Sequence, residues 1–322
     1  MIVDLPDTTA SRISKALVTI REEGGAVALG RVLTLVISTT PGREEEAIEA
    51  ANDASREHPM RVIVLSKSPE TDSAPQLRLD AQIRVGGDAG ASEVILLRVH
   101  GAYGIDDEGL VMGLLLPDAP VVAWWPGSAP DKVAESTLGR ITQCRITDSA
   151  AQDDPGAFLQ GLSRNYSPGD TDFAWTRLTL WRAQLAAVLD QPPYETITGV
   201  QVRGSSDSPS TLLLAAWLQL QLQVPVEYEL TLPDAAPSGI HGVTLFRASG
   251  PIRLERPHST IATLTQPNQP VHDISLPRRN LRDCLAEELR RLDPDDLFGE
   301  VVTLGLRQLG EPTIVRPVQD AE

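Results

Sequence analysis

Residues able to bind an anion lie together in one short segment of the sequence. Arg203 is followed by three serines, Ser205, Ser206 and Ser208, where a predicted strand gives way to a predicted helix. Serine hydroxyls and the main-chain N–H groups at a helix start can hold phosphate or sulfate. Serines at this position also serve as simple helix caps, which is their commoner role. The segment is therefore predicted to be either an anion site or a helix cap, and both alternatives stay open.

A second group of residues has the side chains of an acid–base or metal site. His100 ends a predicted core strand, Tyr103 follows it, and Asp106, Asp107 and Glu108 come next. Such side chains transfer protons or ligate cations. A solvated loop with one capping aspartate has the same composition, and we favour that simpler interpretation.

Loops that bind nucleotide phosphates are absent from the sequence. Neither GxxxxGK[ST] nor GxGxxG between a strand and a helix occurs, and the hydrolase motif GxSxG is missing too. The glycine cluster at residues 86–90 lacks the apolar helix that a dinucleotide fingerprint requires, so we predict a turn there. We therefore predict no cofactor, no metal and no catalytic residue.

Tryptophan and arginine residues mark candidate surfaces for a protein partner. Both residue types are over-represented in interface hot spots, although large aromatic side chains at strand ends more often belong to a core. Arg177 also lies four positions before Trp181, a spacing that lets a guanidinium lie on an indole. The residues predicted for a partner interface are Trp124, Trp125, Asp170, Asp172, Trp175, Arg177, Trp181 and Arg182.

The overall charge argues against polyanionic partners. Lys plus Arg number 28 and Asp plus Glu number 44, which gives a formal net charge of −16. Such a surface repels phosphate backbones and anionic membranes, so neither nucleic acid nor a membrane is predicted as a partner. The arginines between residues 278 and 291 are interrupted by acids, and we predict a solvated helix face there.

Cysteine usage and the N-terminal sequence indicate the cytoplasm. Cys144 and Cys284 are far apart in the sequence and are predicted to be reduced thiols. The first residues lack the basic and apolar regions of a signal peptide, and no apolar run reaches the ~20 residues that span a bilayer. The protein is therefore predicted to be cytoplasmic.

The pattern of apolar residues predicts two α/β domains, residues 1–165 and 166–322. In the first, strand-length runs at 31–38 and 60–66 flank an acidic helical segment, which predicts a β-α-β unit in a mostly parallel sheet with helices. Further elements predicted there are strands at 77–85, 93–99, 119–125 and 144–146, and helices at 109–116 and 131–138. The stretch between residues 147 and 167 is rich in Asp, Ser, Gly and Pro, and the domain boundary is predicted within it or near its end.

The second domain is predicted to contain a mixed or antiparallel sheet with helices. A strand at 196–204, a helix at 210–223 and a strand at 226–232 repeat the β-α-β pattern, and short alternating segments between 241 and 276 predict antiparallel strands. A helix is predicted from Asp170, as its N-cap, to Pro192–Pro193, with Trp181, Leu185 and Val188 on its buried face. Another helix follows Asn280.

Four stretches of the chain resemble a known protein family. Gly169–Asp172, Trp175–Thr179 and Trp181–Arg182, with Leu114–Gly127 upstream, are similar to the glucose-6-phosphate dehydrogenase assembly proteins (OpcA). The resemblance implies a non-catalytic assembly factor or allosteric activator that binds glucose-6-phosphate dehydrogenase, the NADP-dependent entry enzyme of the oxidative pentose phosphate pathway, and needs no cofactor. The alternative is an enzyme or sensor that binds a sugar phosphate in an α/β cleft.

Overall fold

The fold is α/β with two sheets, as predicted. The structure is a computed structural model, and it describes residues 1–23, 30–67, 78–86, 93–101, 107–233, 237–258 and 260–315. The chain divides into two compact units. The first comprises Met1–Asp148, Gly169–Thr171 and Asn280–Pro294, and the second comprises Ser149–Pro168, Asp172–Arg279 and Asp295–Glu322. The chain thus re-enters the first unit twice, whereas the sequence pattern indicated a single boundary between residues 165 and 166.

Eight strands form the first sheet. They are β1 Ile2–Leu5, β2 Leu33–Thr39, β3 Met60–Lys67, β4 Arg78–Val85, β5 Glu93–His100, β6 Val121–Trp125, β7 Cys144–Thr147 and β8 Asp170–Asp172, in the order β1-β4-β5-β3-β2-β6-β7-β8. The five strands from β5 to β7 in this order run parallel, whereas β4 pairs antiparallel with β5 and β1 pairs antiparallel with β4. In chain order the parallel strands follow the doubly wound 3-2-1-4-5 arrangement, with its switch point between β2 and β6.

Helices accompany both sheets. They are α1 Ala10–Glu23, α2 Glu44–Ala54, α3 Asp107–Met112, α4 Pro155–Asn165, α5 Phe173–Thr176, α6 Thr179–Leu189, α7 Pro209–Leu222, α8 Leu281–Glu288, α9 Asp296–Glu300 and α10 Leu306–Gln308. In the first unit, α2 joins the parallel strands β2 and β3, which confirms the predicted β-α-β unit. Helix α8 packs on α2, and Arg290 donates to Glu57 at 2.7 Å. No described helix has both the length and the apolar character needed to cross a membrane.

Seven strands form the second sheet. They are β9 Gly199–Ser205, β10 Val226–Thr231, β11 Ile240–Phe246, β12 Ile252–Glu255, β13 Ile261–Thr265, β14 His272–Ser275 and β15 Thr313–Val315, in the order β14-β13-β12-β11-β9-β10-β15. β9 and β10 are parallel and are joined by α7, while β11 to β14 pair antiparallel, so both predicted patterns are confirmed. Leu213, Leu214 and Ala215 of α7 are fully buried, because this helix is apolar on nearly all sides.

The helix predicted from Asp170 begins later than expected and is split into α5 and α6. Asp170 lies in β8, and the N-cap of α5 is Asp172, whose carboxylate accepts from the N–H of Ala174 at 2.8 Å. The predicted face of α6 is correct, since Trp181, Leu185 and Val188 are buried. Both aspartates fit a capping pattern, and the sequence pattern alone selected the wrong one.

One other prediction for the region between residues 131 and 167 was wrong, because the segment 131–138 forms turns instead of a helix. The stretch in which the domain boundary was predicted contains the helix α4. Asp154 caps α4 by accepting from the N–H of Ala157 at 2.9 Å, and Pro155 occupies its first turn. These are ordinary helix-start signals, and they lie in a segment whose Asp, Gly and Pro content is also typical of a loop.

Burial protects both cysteine thiols. Cys144 is 5% exposed and Cys284 is 0% exposed. Burial, followed by the nearby carboxylate of Glu288, raises the pKa of Cys144 to about 12. Because the thiolate is the reactive form of cysteine, Cys144 in the folded protein is both inaccessible and protonated at neutral pH.

We therefore expect the native protein to be inert toward thiol reagents. With a disulfide reagent at pH 8, less than about 0.1 equivalent of thiol per native protein should react. The comparison is the time in which both thiols react when the protein is unfolded in guanidinium. Rapid release of one equivalent from the native protein would contradict the burial of Cys144 and Cys284.

Candidate functional site

A cavity of about 190 Å³ lies in the second unit, where β9 ends and α7 begins. The residues that line it come from six separate parts of the chain. They are Ala150, Arg177, Trp181, Asp207, Ser208, Ser210, Ser238, Gly239, Ile240, Arg256, Arg278 and Arg279. Four of these are arginines and one is an acid, so the lining carries a local excess of positive charge in a protein whose net charge is −16.

Main-chain hydrogen bonds hold the turn between β9 and α7. The N–H of Ser205 donates to the carbonyl of Gly239, and the N–H of Ser206 donates to the carbonyl of Thr231, both at 2.9 Å. At Gly204, just before the turn, a Cβ would lie 2.2 Å from Oγ1 of Thr211. The strand and the helix therefore approach so closely that only glycine fits at this position.

At the start of α7, the hydroxyl of Ser208 and the N–H of Ser210 are hydrogen-bond donors in the cavity wall. Ser208 is the N-cap, but its side chain makes no capping hydrogen bond, and Pro209 has no N–H. The N–H of Ser210 has no acceptor among the described residues, whereas its hydroxyl donates to the carbonyl of Ala174 at 2.8 Å. A helix start with uncapped donors has a partial positive charge and favours an anion.

Two guanidinium groups converge at Gly239. A Cβ on this glycine would lie 3.2 Å from Nη2 of Arg256 and 3.2 Å from Cζ of Arg278, and its φ of +106° is one that side-chain-bearing residues rarely adopt. Arg256 also donates to the carbonyl of Ile240 at 2.9 Å, and its guanidinium lies 5.3 Å from the ring centre of Trp181. The absence of a side chain at Gly239 thus lets both arginines lie against the backbone.

The charge of Arg256 is poorly compensated. Burial, and next the like charge of Arg278, lowers the pKa of Arg256 to about 10. Within the ranges that the structure describes, neither arginine forms an ion pair with a carboxylate. Two neighbouring positive charges without a counter-charge destabilise each other, so this arrangement favours the binding of an anion.

A second, larger groove of about 720 Å³ shares Arg256 and Arg278 with the cavity. It is also lined by Arg203, Glu255 and Thr263, and Arg203 forms an ion pair with Glu255. Of the residues predicted for an anion site, Ser208 therefore lines the cavity, Ser205 and Ser206 form the turn beside it, and Arg203 lies in the neighbouring groove.

The sequence pattern did not identify the arginines that dominate the cavity. Arg278 and Arg279 precede α8 and line the cavity, which corrects the prediction of a solvated helix face at these two positions. The carbonyl of Thr176 accepts from Nη1 of Arg279 at 3.0 Å. Arg256 follows β12, and no local signal connects it to the serines of the β9–α7 turn.

The residues predicted for a partner interface lie mainly in the two cores. Six of the eight are at most 4% exposed: Trp124, Trp125, Asp170, Asp172, Trp175 and Trp181. Arg177 and Arg182 are partly exposed. Guanidinium groups lie over aromatic rings in this region, since Arg182 lies 3.7 Å from the ring centre of Trp175 and Arg177 lies 5.9 Å from that of Phe173. The interface itself stays a prediction.

The two aspartates of this set have structural partners. Asp170 accepts from Nε of Arg145 at 2.5 Å, and both side chains are buried. Asp172 caps α5 and also accepts from the N–H and the hydroxyl of Ser149, at 2.9 and 2.7 Å. Each carboxylate therefore satisfies buried donors inside its own unit.

The switch point of the first sheet holds a carboxylate. Glu44, the first residue of α2, accepts from the N–H of Gly42 at 2.6 Å and from the hydroxyl of Ser66 at 2.8 Å, and it is 6% exposed. In doubly wound sheets the helix start after the first strand is the place where a dinucleotide pyrophosphate binds. Here the carboxylate of Glu44, which also forms an ion pair with Arg98 at 3.7 Å, takes that position, and Glu45 and Glu46 follow it.

The group predicted from His100 to Glu108 is described only in part, because Tyr103 and Asp106 lie outside the described residues. Asp107 binds Nζ of Lys67 at 2.5 Å, while His100 lies 3.1 Å from the carboxylate of Asp80. No group of three or more His, Cys, Asp or Glu side chains able to hold a metal occurs in the part of the chain that the structure describes.

Fold and site together define a two-unit α/β protein. One unit has the carboxylate of Glu44 at the switch point of its sheet, and the other has an arginine-lined cavity. Residues 51–164 match the family described as the N-terminal domain of a glucose-6-phosphate dehydrogenase subunit, and residues 168–302 match the family described as the C-terminal domain of that subunit. The two matches cover most of the chain, so the protein belongs to the glucose-6-phosphate dehydrogenase assembly protein (OpcA) family, as the sequence resemblance implied. A comparison with curated proteins gave no match.

Several solved oxidoreductase structures are distantly similar. Myo-inositol dehydrogenase from Lactobacillus casei has 9% identity and a TM-score of 0.46, over 86% of this chain and 93% of that chain. An oxidoreductase from Sinorhizobium meliloti has 11% identity and a TM-score of 0.46, over 85% of this chain and 94% of that chain. Similarity at this level does not extend to function.

Asp295 provides a test of the second unit's core. Its Oδ2 accepts from the indole N–H of Trp175 at 2.8 Å, and its Oδ1 caps α9 by accepting from the N–H of Phe298 at 3.0 Å. Asp295→Ala removes both bonds and should lower the free energy of unfolding by roughly 2–3 kcal/mol. Asp295→Asn keeps an acceptor oxygen and should cost less than half as much. Urea denaturation measures both, and equal losses would show that the two bonds are not the cause.

Proposed function

We propose that this protein binds glucose-6-phosphate dehydrogenase directly and activates it, without catalysing a reaction itself. The observation that carries the proposal is that matches to families described as domains of a subunit of that enzyme cover most of both halves of the chain. A protein that assembles or accompanies an enzyme must contact it, and a contact that favours the active form raises activity.

The first unit supports a role other than nucleotide chemistry. Its strand order is the one that many dinucleotide-binding domains share, but Glu44 occupies the helix start where a pyrophosphate would bind. The glutamates that begin α2 also bind the nearby cations, Arg98 on Glu44 and Arg84 on Glu45, which a phosphate would otherwise meet. This arrangement favours a fold that is used for contact over one that holds NADP.

The mechanism that we propose is a shift of populations. If the protein binds the active oligomeric form of the dehydrogenase more tightly than the inactive form, it raises the ratio of active to inactive enzyme by up to the ratio of the two affinities. The net charge of −16 would speed the encounter if the dehydrogenase presents a basic surface. No cofactor is needed for either effect.

Mixing experiments test the proposal. With both proteins at micromolar concentration, we expect a complex by light scattering after size exclusion and a rise in dehydrogenase turnover of about 5-fold or more, the lower range of allosteric coupling. An unrelated acidic protein of similar charge is the control and should produce neither effect. The absence of a complex together with unchanged turnover would reject direct activation.

A pair of arginine variants tests the predicted interface. Arg182 is partly exposed on α6, whereas Arg164 is exposed at the end of α4, outside the predicted set. If Arg182 contacts the dehydrogenase, Arg182→Ala should raise the Kd of the complex about tenfold, which is the loss of about 1.4 kcal/mol. Arg164→Ala should change it less than about twofold. Equal Kd values for the two variants would place the contact elsewhere.

A further inference from the structure

The arginine-lined cavity has the charge and the hydrogen-bond donors that bind an anion. Arg256 is partly buried, its positive charge is disfavoured by Arg278, and neither has a carboxylate partner within the described ranges. Asp207 is the one acid among the lining residues, and four arginines oppose it. An anion that reached Gly239 would lie between two guanidinium groups and would remove the repulsion between them.

Phosphate fits these donors better than a single carboxylate does. A phosphate monoester carries up to two negative charges and three acceptor oxygens, so it can satisfy two guanidinium groups together. The start of α7 adds the N–H of Ser210 and the hydroxyl of Ser208, which makes no capping bond. Charged side chains and a helix start thus offer donors from two independent sources to one anion.

The size of the cavity sets the size of the ligand. A volume of about 190 Å³ is well below the roughly 300–1,000 Å³ of sites for drug-sized ligands, so it holds a phosphate with a short attached group. The neighbouring groove of about 720 Å³ begins at the same two arginines and has polar walls that include Glu255 and Thr263. A phosphate held at Gly239 can therefore carry a hydroxylated group that extends into this groove.

Asp207 favours a hydroxylated ligand over free phosphate. Its carboxylate can only accept hydrogen bonds, and its Oδ1 has no donor among the described residues. A carboxylate beside a bare phosphate would repel it, whereas a carboxylate beside the hydroxyl of a polyol accepts from that hydroxyl. The combination of arginines, helix start and one acid matches a molecule that has phosphate and hydroxyl groups together.

We propose that this cavity binds a small phosphate monoester of a sugar or polyol, with the phosphate held by Arg256, Arg278 and the start of α7 and a hydroxyl held by Asp207. The proposal concerns the isolated protein and does not depend on contact with the dehydrogenase. Its failure and the failure of the proposed activation are therefore separate results.

Calorimetric titration and thermal unfolding test the site with defined probes. The probes are glycerol phosphate, a hexose 6-phosphate, the hexose without phosphate, and inorganic phosphate, at constant ionic strength. We expect the two esters to raise the Tm and to bind more tightly than inorganic phosphate, and the free hexose to have no effect. If no phosphate raises the Tm at 10 mM or below, the proposal is wrong. If only inorganic phosphate binds, the ligand class is wrong.

Matched variants locate the binding. Arg278→Gln should raise the Kd of the hexose phosphate about tenfold or more, and because Arg278 is exposed and only repels Arg256, the Tm of the ligand-free variant should not fall. Arg253→Gln, an exposed arginine of β12 outside the cavity, should change the Kd less than about twofold. Asp207→Asn should weaken the hexose phosphate but not inorganic phosphate. Equal binding by Arg278→Gln and Arg253→Gln would overturn the assignment.

Discussion

The close contact between β9 and α7 fixes the geometry on which the second unit's cavity depends. Gly204 brings the strand within reach of Thr211, and a Cβ at that glycine would overlap the threonine hydroxyl at 2.2 Å. The two serine N–H bonds of the following turn then hold the helix start against the ends of β10 and β11. Because a helix start has a partial positive charge, this packing constraint also sets where positive potential accumulates. The arginines near Gly239 add to a potential that the backbone already creates.

Arginines that are removed from water have two kinds of surroundings in this protein: some pair with a carboxylate, whereas Arg256 lies near another arginine. In the first unit, the buried Arg61 and Arg145 each meet a carboxylate, Glu93 at 2.6 Å and Asp170 at 2.5 Å. Such pairing is what a fold needs in order to tolerate charge away from water. Arg256 departs from that rule, since its burial lowers its pKa and the positive charge of Arg278 lowers it further. At Arg256 and Arg278, an added negative charge would therefore lower the electrostatic free energy of the folded protein.

Local patterns in the sequence predicted most of the elements and part of the site. The two β-α-β units and the antiparallel strands were predictable because apolar runs and turn residues are local signals. The Ser205–Ser208 turn was predictable for the same reason. The choice between Asp170 and Asp172 as a cap was not, because Arg145, 25 residues away, engages the first of them. Arg256 and Arg278 could not be identified either, since strand pairing and the positive φ of Gly239 bring them together.

The two units differ at the place where the first strand of a β-α-β unit gives way to its helix, and this difference could regulate binding to the dehydrogenase. The first has the strand order of dinucleotide-binding domains, yet Glu44 fills the place of the anion. The second has four arginines around a cavity at the equivalent position of its own β-α-β unit, where β9 ends and α7 begins. If a phosphate ester bound there changes the affinity for the dehydrogenase, linkage requires that the dehydrogenase change the affinity for the ester by the same factor. An effector of this kind would therefore be retained most tightly by the assembled complex when it promotes assembly, and released by it when it opposes assembly.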